Sequence, residues 1–129
     1  MNLQSLTPNL MVKNVNQSIE FYSSVFGFEK ITTVPESGTF IWAMIQLGNV
    51  QIMLQAESSI KEEYPTLNKH AGGGALTFYI RVTDINALYK VVKEKVNLVK
   101  PLGKTPYGAN EFAIADPDGF IFTFSDIVE

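Results

Sequence analysis

The chain has 129 residues, of which 46% are hydrophobic and 18% are charged, a composition typical of one globular domain with a buried core. The net charge of -3 comes without any basic cluster, and no apolar run is long enough to cross a bilayer, so neither nucleic acid nor a membrane is expected as a partner. Since there is no cysteine and the first residues do not form a signal peptide, we expect a soluble, cytoplasmic protein.

The first half of the chain predicts a strand, a helix and three further strands. Alternating apolar residues between Leu6 and Val12 predict the first strand. A helix follows, capped by Asn14 or Asn16 and ended by Gly27 in left-handed geometry. Three extended stretches come next, and the turn-forming pair at 48–49 joins the last two of them into a hairpin.

The second half repeats this order after a polar, glycine-rich linker at 55–75. The linker is too long for a passive connection, so we expect it to carry a short helix and to act as a flap or lid. Beyond it the pattern predicts a strand, a helix capped by Thr83 or Asp84, and three strands with a turn at 116–119.

The two halves are related by an internal repeat. Shifting the sequence by 70 residues brings four residues onto identical ones: Leu6, Thr7, Val12 and Asn16 onto Leu76, Thr77, Val82 and Asn86. The same shift places the second hairpin over the first. The sequence therefore predicts an α+β fold of two tandem βαβββ modules, about residues 4–55 and 75–127, within a single domain covering 1–129.

The duplicated βαβββ pattern, the helix NVNQSIEFYSSVFGF and the turn DPDG resemble the vicinal oxygen chelate superfamily. That superfamily includes glyoxalase I, extradiol dioxygenases, fosfomycin-resistance thiol transferases and bleomycin-resistance proteins. The resemblance implies that the curled mixed sheets form an open cup and that the protein is a homodimer. It also implies a metal-ligand position on four strands, which here carry Thr7, Met53, Thr77 and Thr123.

Those four residues are unsuited to a divalent metal, because hydroxyl and thioether groups lack the charge and basicity of carboxylates and imidazoles. We therefore expect no metal, no cofactor and no catalytic residue at this position. The leading hypothesis is a metal-independent protein that binds or sequesters a small molecule, an antibiotic or a metabolite, as bleomycin-resistance proteins do. The alternatives are a glyoxalase-like or dioxygenase-like enzyme with an atypical site, acting as a lyase, isomerase or oxygenase, and a purely dimeric interaction module.

Strand alternation assigns residues to the face that would line the cup. If Leu47 pairs with Val50, then Met44 lies opposite Met53. The matching register in the second half turns Phe112 toward the cup with Asn110 and Ile114, whereas a slip of one residue would bring Glu111 there instead. The predicted ligand-binding residues are Asn9, Trp42, Met44, Met53, Tyr79, Arg81, Tyr107, Phe112 and Thr123.

Three ionisable residues each have two interpretations. Arg81, the sole arginine, either grips a ligand carboxylate or phosphate, which would favour an anionic metabolite over a cationic drug, or forms a surface salt bridge. Glu111 either attracts a cation or acts as a general base if burial raises its pKa, or is simply solvated or paired. His70, the sole histidine, is either a proton shuttle in a lid or an ordinary loop residue.

Overall fold

The computed structural model describes residues 1–128, and the chain divides into two compact units, Met1–Gly72 and Gly73–Glu129. Each unit contains one open, four-stranded mixed sheet and at least one helix. The predicted α+β class and the repeated βαβββ order are confirmed. The boundary between the units lies within the predicted linker.

The first unit has the strand order β1-β4-β3-β2, with β1 parallel to β4 and the other pairs antiparallel. Its elements are β1 (Asn9–Val12), α1 (Val15–Phe26), β2 (Glu29–Val34), β3 (Trp42–Leu47), β4 (Val50–Ala56), α2 (Glu57–Glu63) and a 3-10 turn (Pro65–Leu67). β1 begins later than predicted because Pro8 has no N–H to donate to the ladder, although its carbonyl accepts from the Met53 N–H at 2.9 Å. α2 is the short helix expected in the linker, and its role as a lid stays a prediction.

The second unit repeats the arrangement with the order β5-β8-β7-β6, in which β5 is parallel to β8. Its elements are β5 (Thr77–Arg81), α3 (Ile85–Val92), β6 (Asn97–Lys104), β7 (Asn110–Ala115) and β8 (Ile121–Ser125). Among the helices within residues 1–128, none is long and apolar enough to cross a bilayer.

The helix caps settle the alternatives that the sequence left open. Asn14 caps α1, since its side-chain oxygen accepts from the Gln17 N–H at 3.0 Å. Gly27 ends that helix with φ 89°, as its lack of a Cβ allows. Asp84 caps α3 by accepting from the Ala87 N–H at 3.4 Å, and it adopts a left-handed φ of 50°, which aspartate tolerates better than most residues.

The helices cover one apolar face of each sheet. α1 packs on β3 and β4, and α3 packs on β7. In the first unit this face buries Leu10, Val12, Ala43, Ile45, Ile52 and Leu54. In the second unit it buries Phe112, Ile114, Phe122 and Phe124, and the Phe112 ring stacks on Phe124 with centroids 5.1 Å apart. Because the helices bury the apolar face of each sheet, the opposite face of that sheet is the one on which a site can form.

The first hairpin has the predicted register. Leu47 pairs with Val50 across a two-residue turn, so Met44 lies opposite Met53 and Trp42 opposite Gln55. The predicted positions of Trp42, Met44 and Met53 on the face away from α1 are therefore confirmed.

The second hairpin is shifted by one residue, so the prediction that Phe112 faces the cup is wrong. Phe112 pairs with Phe124, and Glu111 pairs with Ser125. Phe112 is fully buried and its ring contacts Tyr89 of α3 at 5.0 Å, on the core side. Asn110 and Ile114 share that side of β7, which also corrects their predicted orientation.

The register of the second hairpin is shifted because its turn is one residue longer than predicted. The Asp116 N–H donates to the Phe120 carbonyl at 2.9 Å, which leaves three residues in the loop instead of two. A two-residue loop would require position 117 to donate a ladder hydrogen bond, and Pro117 cannot. Gly119, with φ 89°, supplies the left-handed residue that a three-residue hairpin loop needs.

Substitution of Gly73 tests the packing of the linker end on this turn. Gly73 has φ 84°, and a Cβ there would lie 2.7 Å from the Asp118 carbonyl oxygen. Gly73→Ala should therefore lower the free energy of unfolding by about 2 kcal/mol or more, since backbone atoms must move. Urea denaturation measures the loss. Gly74→Ala, where a Cβ meets open space, is the control, and equal losses in both variants would contradict the contact.

Substitution of Asp116 tests how the turn is held. The buried Asp116 Oδ1 accepts from the N–H groups of Asp118 at 2.9 Å and Phe120 at 2.8 Å. Asp116→Ala should cost about 1 to 3 kcal/mol, because both donors lose their partner. Asp116→Asn keeps an oxygen acceptor and should cost less. Thermal unfolding of the two variants compares them, and an Asn variant as unstable as the Ala variant would argue against these hydrogen bonds.

Candidate functional site

The second sheet presents a polar face on the side away from α3, here called the open face. Arg81 of β5, Ser125 of β8 and Glu111 of β7 form one row across three neighbouring strands. Tyr79 and Thr123 form the adjacent row, also paired with each other. The predicted orientation of Tyr79, Arg81 and Thr123 follows from this register.

Glu111 is a buried carboxylate held by two tyrosines. Only 3% of the residue is exposed. The Tyr79 hydroxyl donates to Glu111 Oε2 at 2.5 Å, and the Tyr107 hydroxyl donates to the same oxygen at 2.6 Å. Ser125 lies next to Glu111 as its register partner on β8. We call Glu111, Tyr79 and Tyr107 the carboxylate clamp.

The clamp shifts two pKa values in opposite directions. Burial acts to raise the pKa of Glu111, but the hydrogen bonds from Tyr107, Tyr79 and Ser125 outweigh it, with help from the charge of Lys100, and the pKa is lowered. The hydrogen bond to Glu111 is the main cause that raises the pKa of Tyr107 to about 12, followed by burial and the contact with Tyr79. Glu111 is therefore ionised and Tyr107 neutral at physiological pH.

A surface pocket of about 590 Å³ lies against the clamp, lined by Tyr79, Arg81, Tyr107 and Ile127. The two tyrosines are half exposed, with 50% of Tyr79 and 59% of Tyr107 accessible. Three of the predicted ligand-binding residues thus meet at one pocket. Arg81 and Ile127 also border a second cavity of about 590 Å³ that extends to Asp84 and Asp126.

The first unit brings together the other predicted residues on its own open face. Asn9, Met44 and Met53 are register neighbours, and Trp42 lies beside Gln55. Asn9 Nδ2 donates to Gln55 Oε1 at 2.8 Å. The buried Gln55 in turn donates to Ser59 Oγ at 2.9 Å and to Glu63 Oε1 at 3.0 Å: this network ties β1 and β4 to α2.

Three residues of these faces were missed as site residues. The sequence brings Glu111 to the cup only through a register slip of one residue, and Pro117 in the turn is the signal for that slip. Alternation along β4 places Gln55 on the same face as Met53, but its hydrogen-bond network depends on α2. Ile127 follows the last strand, where alternation makes no prediction. His70 is exposed in the linker of the first unit, and its role as a proton shuttle stays a prediction.

The donor chemistry does not fit the metal that the resemblance implies. Thr7 and Met53 in the first unit, and Thr77 and Thr123 in the second, offer neutral hydroxyls and a thioether. Within residues 1–128, no group of three or more His, Cys, Asp or Glu side chains is arranged to hold a metal ion. Glu111, a carboxylate on the open face, already accepts hydrogen bonds from both tyrosines.

Comparisons with solved structures support the fold. TioX from Micromonospora matches with a TM-score of 0.78 at 20% identity, over 97% of this chain and 99% of that chain. A glyoxalase/bleomycin resistance protein/dioxygenase from Nocardioides matches with a TM-score of 0.78 at 17% identity, over 97% and 84%. At this level of identity the likeness establishes the fold alone.

Sequence comparisons give both relatives and a family. An uncharacterized protein of Mycobacterium bovis is 26% identical over 121 residues, which cover 89% of this chain and 78% of that protein. An uncharacterized protein of Mycobacterium tuberculosis has the same identity over 69% of its length. The family model matches residues 4–124, nearly the whole chain. The chain therefore belongs to the glyoxalase/bleomycin resistance protein/dioxygenase superfamily.

Proposed function

We propose that this protein binds a small organic molecule without a metal, in the pocket lined by Tyr79, Arg81, Tyr107 and Ile127. The observation that carries the proposal is the carboxylate clamp, a buried charge that fixes two half-exposed aromatic rings beside the pocket. Rings held in place lose little conformational freedom when a ligand packs on them, which favours binding.

The lining of the pocket offers complementary contacts to such a ligand. Tyrosine rings and Ile127 supply apolar surface, and Arg81 supplies a permanent positive charge. The positive charge favours an anionic group on the ligand over a purely cationic drug. The finer proposal is a metabolite or an antibiotic, bound by a cytoplasmic homodimer in which the two units form one domain. The proposed ligand-binding set also includes Asn9, Trp42, Met44 and Met53 on the first sheet and, separately, Thr123 on the second sheet.

The clamp is better suited to binding than to proton transfer. A general base near neutral pH needs a raised carboxyl pKa and a free lone pair directed at the substrate. The pKa of Glu111 is lowered instead, and its Oε2 is engaged by two phenols. Tyr107 cannot act as a base near neutral pH, because its pKa is raised to about 12 and it keeps its proton.

Titration of the tyrosines tests the clamp. At pH 10.5 most exposed tyrosines are at least half ionised, given an ordinary pKa of about 10, whereas Tyr107, with its pKa raised to about 12, should remain neutral. Because the folded-state pKa is the higher one, the contact stabilises the fold below about pH 10 and this stabilisation is lost as the pH rises toward 12. Carbon NMR of ring-labelled tyrosine, with Tyr107→Phe for assignment, measures the shift. In Glu111→Gln the Tyr107 pKa should fall toward 10, and an unchanged value would exclude Glu111 as its cause.

A ligand screen tests the proposed function itself. A panel of metabolites and antibiotics should raise the melting temperature of the metal-free, chelator-treated protein, and Arg81→Gln and Tyr107→Phe should each weaken the binding about tenfold. Tyr64→Phe, an exposed tyrosine of the first unit, is the control. A metal-dependent enzyme would instead retain stoichiometric metal on purification without chelator and lose its thermal response after chelation. That result would overturn the proposal.

A further inference from the structure

The carboxylate clamp restricts what the two tyrosines can offer to a ligand. A phenol has a single proton, and both protons are directed at Glu111 Oε2. Each hydroxyl oxygen therefore retains only its lone pairs for a molecule in the pocket. Two side chains that usually either donate or accept are converted into acceptors.

The two acceptors act together and carry partial negative charge. Both phenolic oxygens lie within hydrogen-bond distance of one carboxylate oxygen, so they are held side by side. The ionised Glu111 behind them polarises both hydroxyls, and in a buried setting this strengthens the hydrogen bonds that they accept. An ammonium group or another charged N–H donor, with several protons on one nitrogen, suits such a pair.

The other polar wall of the pocket has the opposite character. Arg81 stands in the same row of the sheet as Glu111, two strands away, which places their Cα atoms about 10 Å apart. Its guanidinium has five N–H donors, enough to serve a contact within the protein and a carboxylate of a ligand together. The half-exposed rings of Tyr79 and Tyr107 and the side chain of Ile127 complete the lining.

We propose that this pocket selects a small zwitterion, an amino carboxylate with an apolar or aromatic body, whose ammonium group binds the oxygens of Tyr79 and Tyr107 and whose carboxylate binds Arg81. This inference rests on the proposed binding function and adds the class of ligand. Glu111 is a positioning residue in it, because it acts on the ligand through the two tyrosines.

Matched small probes test the ligand class. Two zwitterions, L-phenylalanine and p-aminomethylbenzoate, are titrated to millimolar concentration against ¹⁵N-labelled protein. Benzylamine and p-toluate serve as analogues of p-aminomethylbenzoate, since benzylamine lacks its carboxylate and p-toluate lacks its ammonium group. We expect both zwitterions to shift the amide signals around Arg81 and Tyr107, and to bind at least about tenfold more tightly than either analogue. Equal affinity for p-toluate or benzylamine, or no binding of the zwitterions, overturns the proposal.

The variant Glu111→Gln tests the role of the clamp by selectivity. A neutral amide removes the negative charge and supplies donors of its own, so the tyrosine protons become available to the pocket. Affinity for benzylamine should then fall by about tenfold, while affinity for p-toluate should hold or rise. A merely structural role of Glu111 would lower both alike. Arg81→Gln should produce the reverse pattern, losing p-toluate and keeping benzylamine, and Tyr64→Phe should change neither.

The outcome separates the two proposals. If compounds of the thermal panel bind in a manner sensitive to Arg81→Gln and Tyr107→Phe, but none of the zwitterions exceeds its analogues, the ligand class is wrong and the binding function stands. If neither the panel nor the probes bind at this pocket, the binding function itself is wrong.

Discussion

The burial of the Glu111 carboxylate is the constraint on which the second unit's open face depends. An isolated charge in that position would be strongly unfavourable, so it must be matched by donors. Tyr79 and Tyr107 supply them, which fixes the orientation of two large side chains that would otherwise be free at the surface. One buried charge thus determines the shape and the polarity of the adjacent pocket.

The position of the Glu111 carboxylate depends on the length of the loop that joins β7 to β8. The two sheets have the same strand order, but the first hairpin turns through two residues and the second through three. Because side chains alternate along a strand, a single additional loop residue exchanges the two faces of β7. Phe112 therefore lies in the core. If the second hairpin had the register of the first, Glu111 would be buried there instead, among aromatic rings. The two halves of a duplicated fold acquire different surfaces through one loop residue.

The sequence was sufficient for most of the fold and for part of the site. The order of the elements follows from apolar periodicity. The helix ends follow from Asn14, Gly27 and Asp84, and the first hairpin follows from the glycine at position 48. The faces of Tyr79 and Arg81 follow from alternation alone. The internal repeat alone predicts the wrong face for Phe112, because the repeat does not reflect Pro117, which has no N–H for the shorter turn. The approach of Tyr107 to Glu111 lies beyond such rules, since Tyr107 is in a loop whose path is determined by tertiary contacts.

Metal chemistry and ligand binding place opposite demands on a carboxylate in this fold. A metal ligand needs an exposed lone pair and further anionic or imidazole donors nearby. Glu111 is instead buried, hydrogen bonded to phenols on Oε2, and accompanied on its face by hydroxyls and one guanidinium. The same interactions that make it a poor metal ligand turn its charge into a property of the tyrosine oxygens. Its negative charge then reaches the pocket through phenolic oxygens, which accept hydrogen bonds from N–H donors but are poor ligands for a metal ion, opposite the positive charge of Arg81. A pocket with a positive group on one wall and hydrogen-bond acceptors on another discriminates by where the charges lie on a ligand more than by the ligand's net charge.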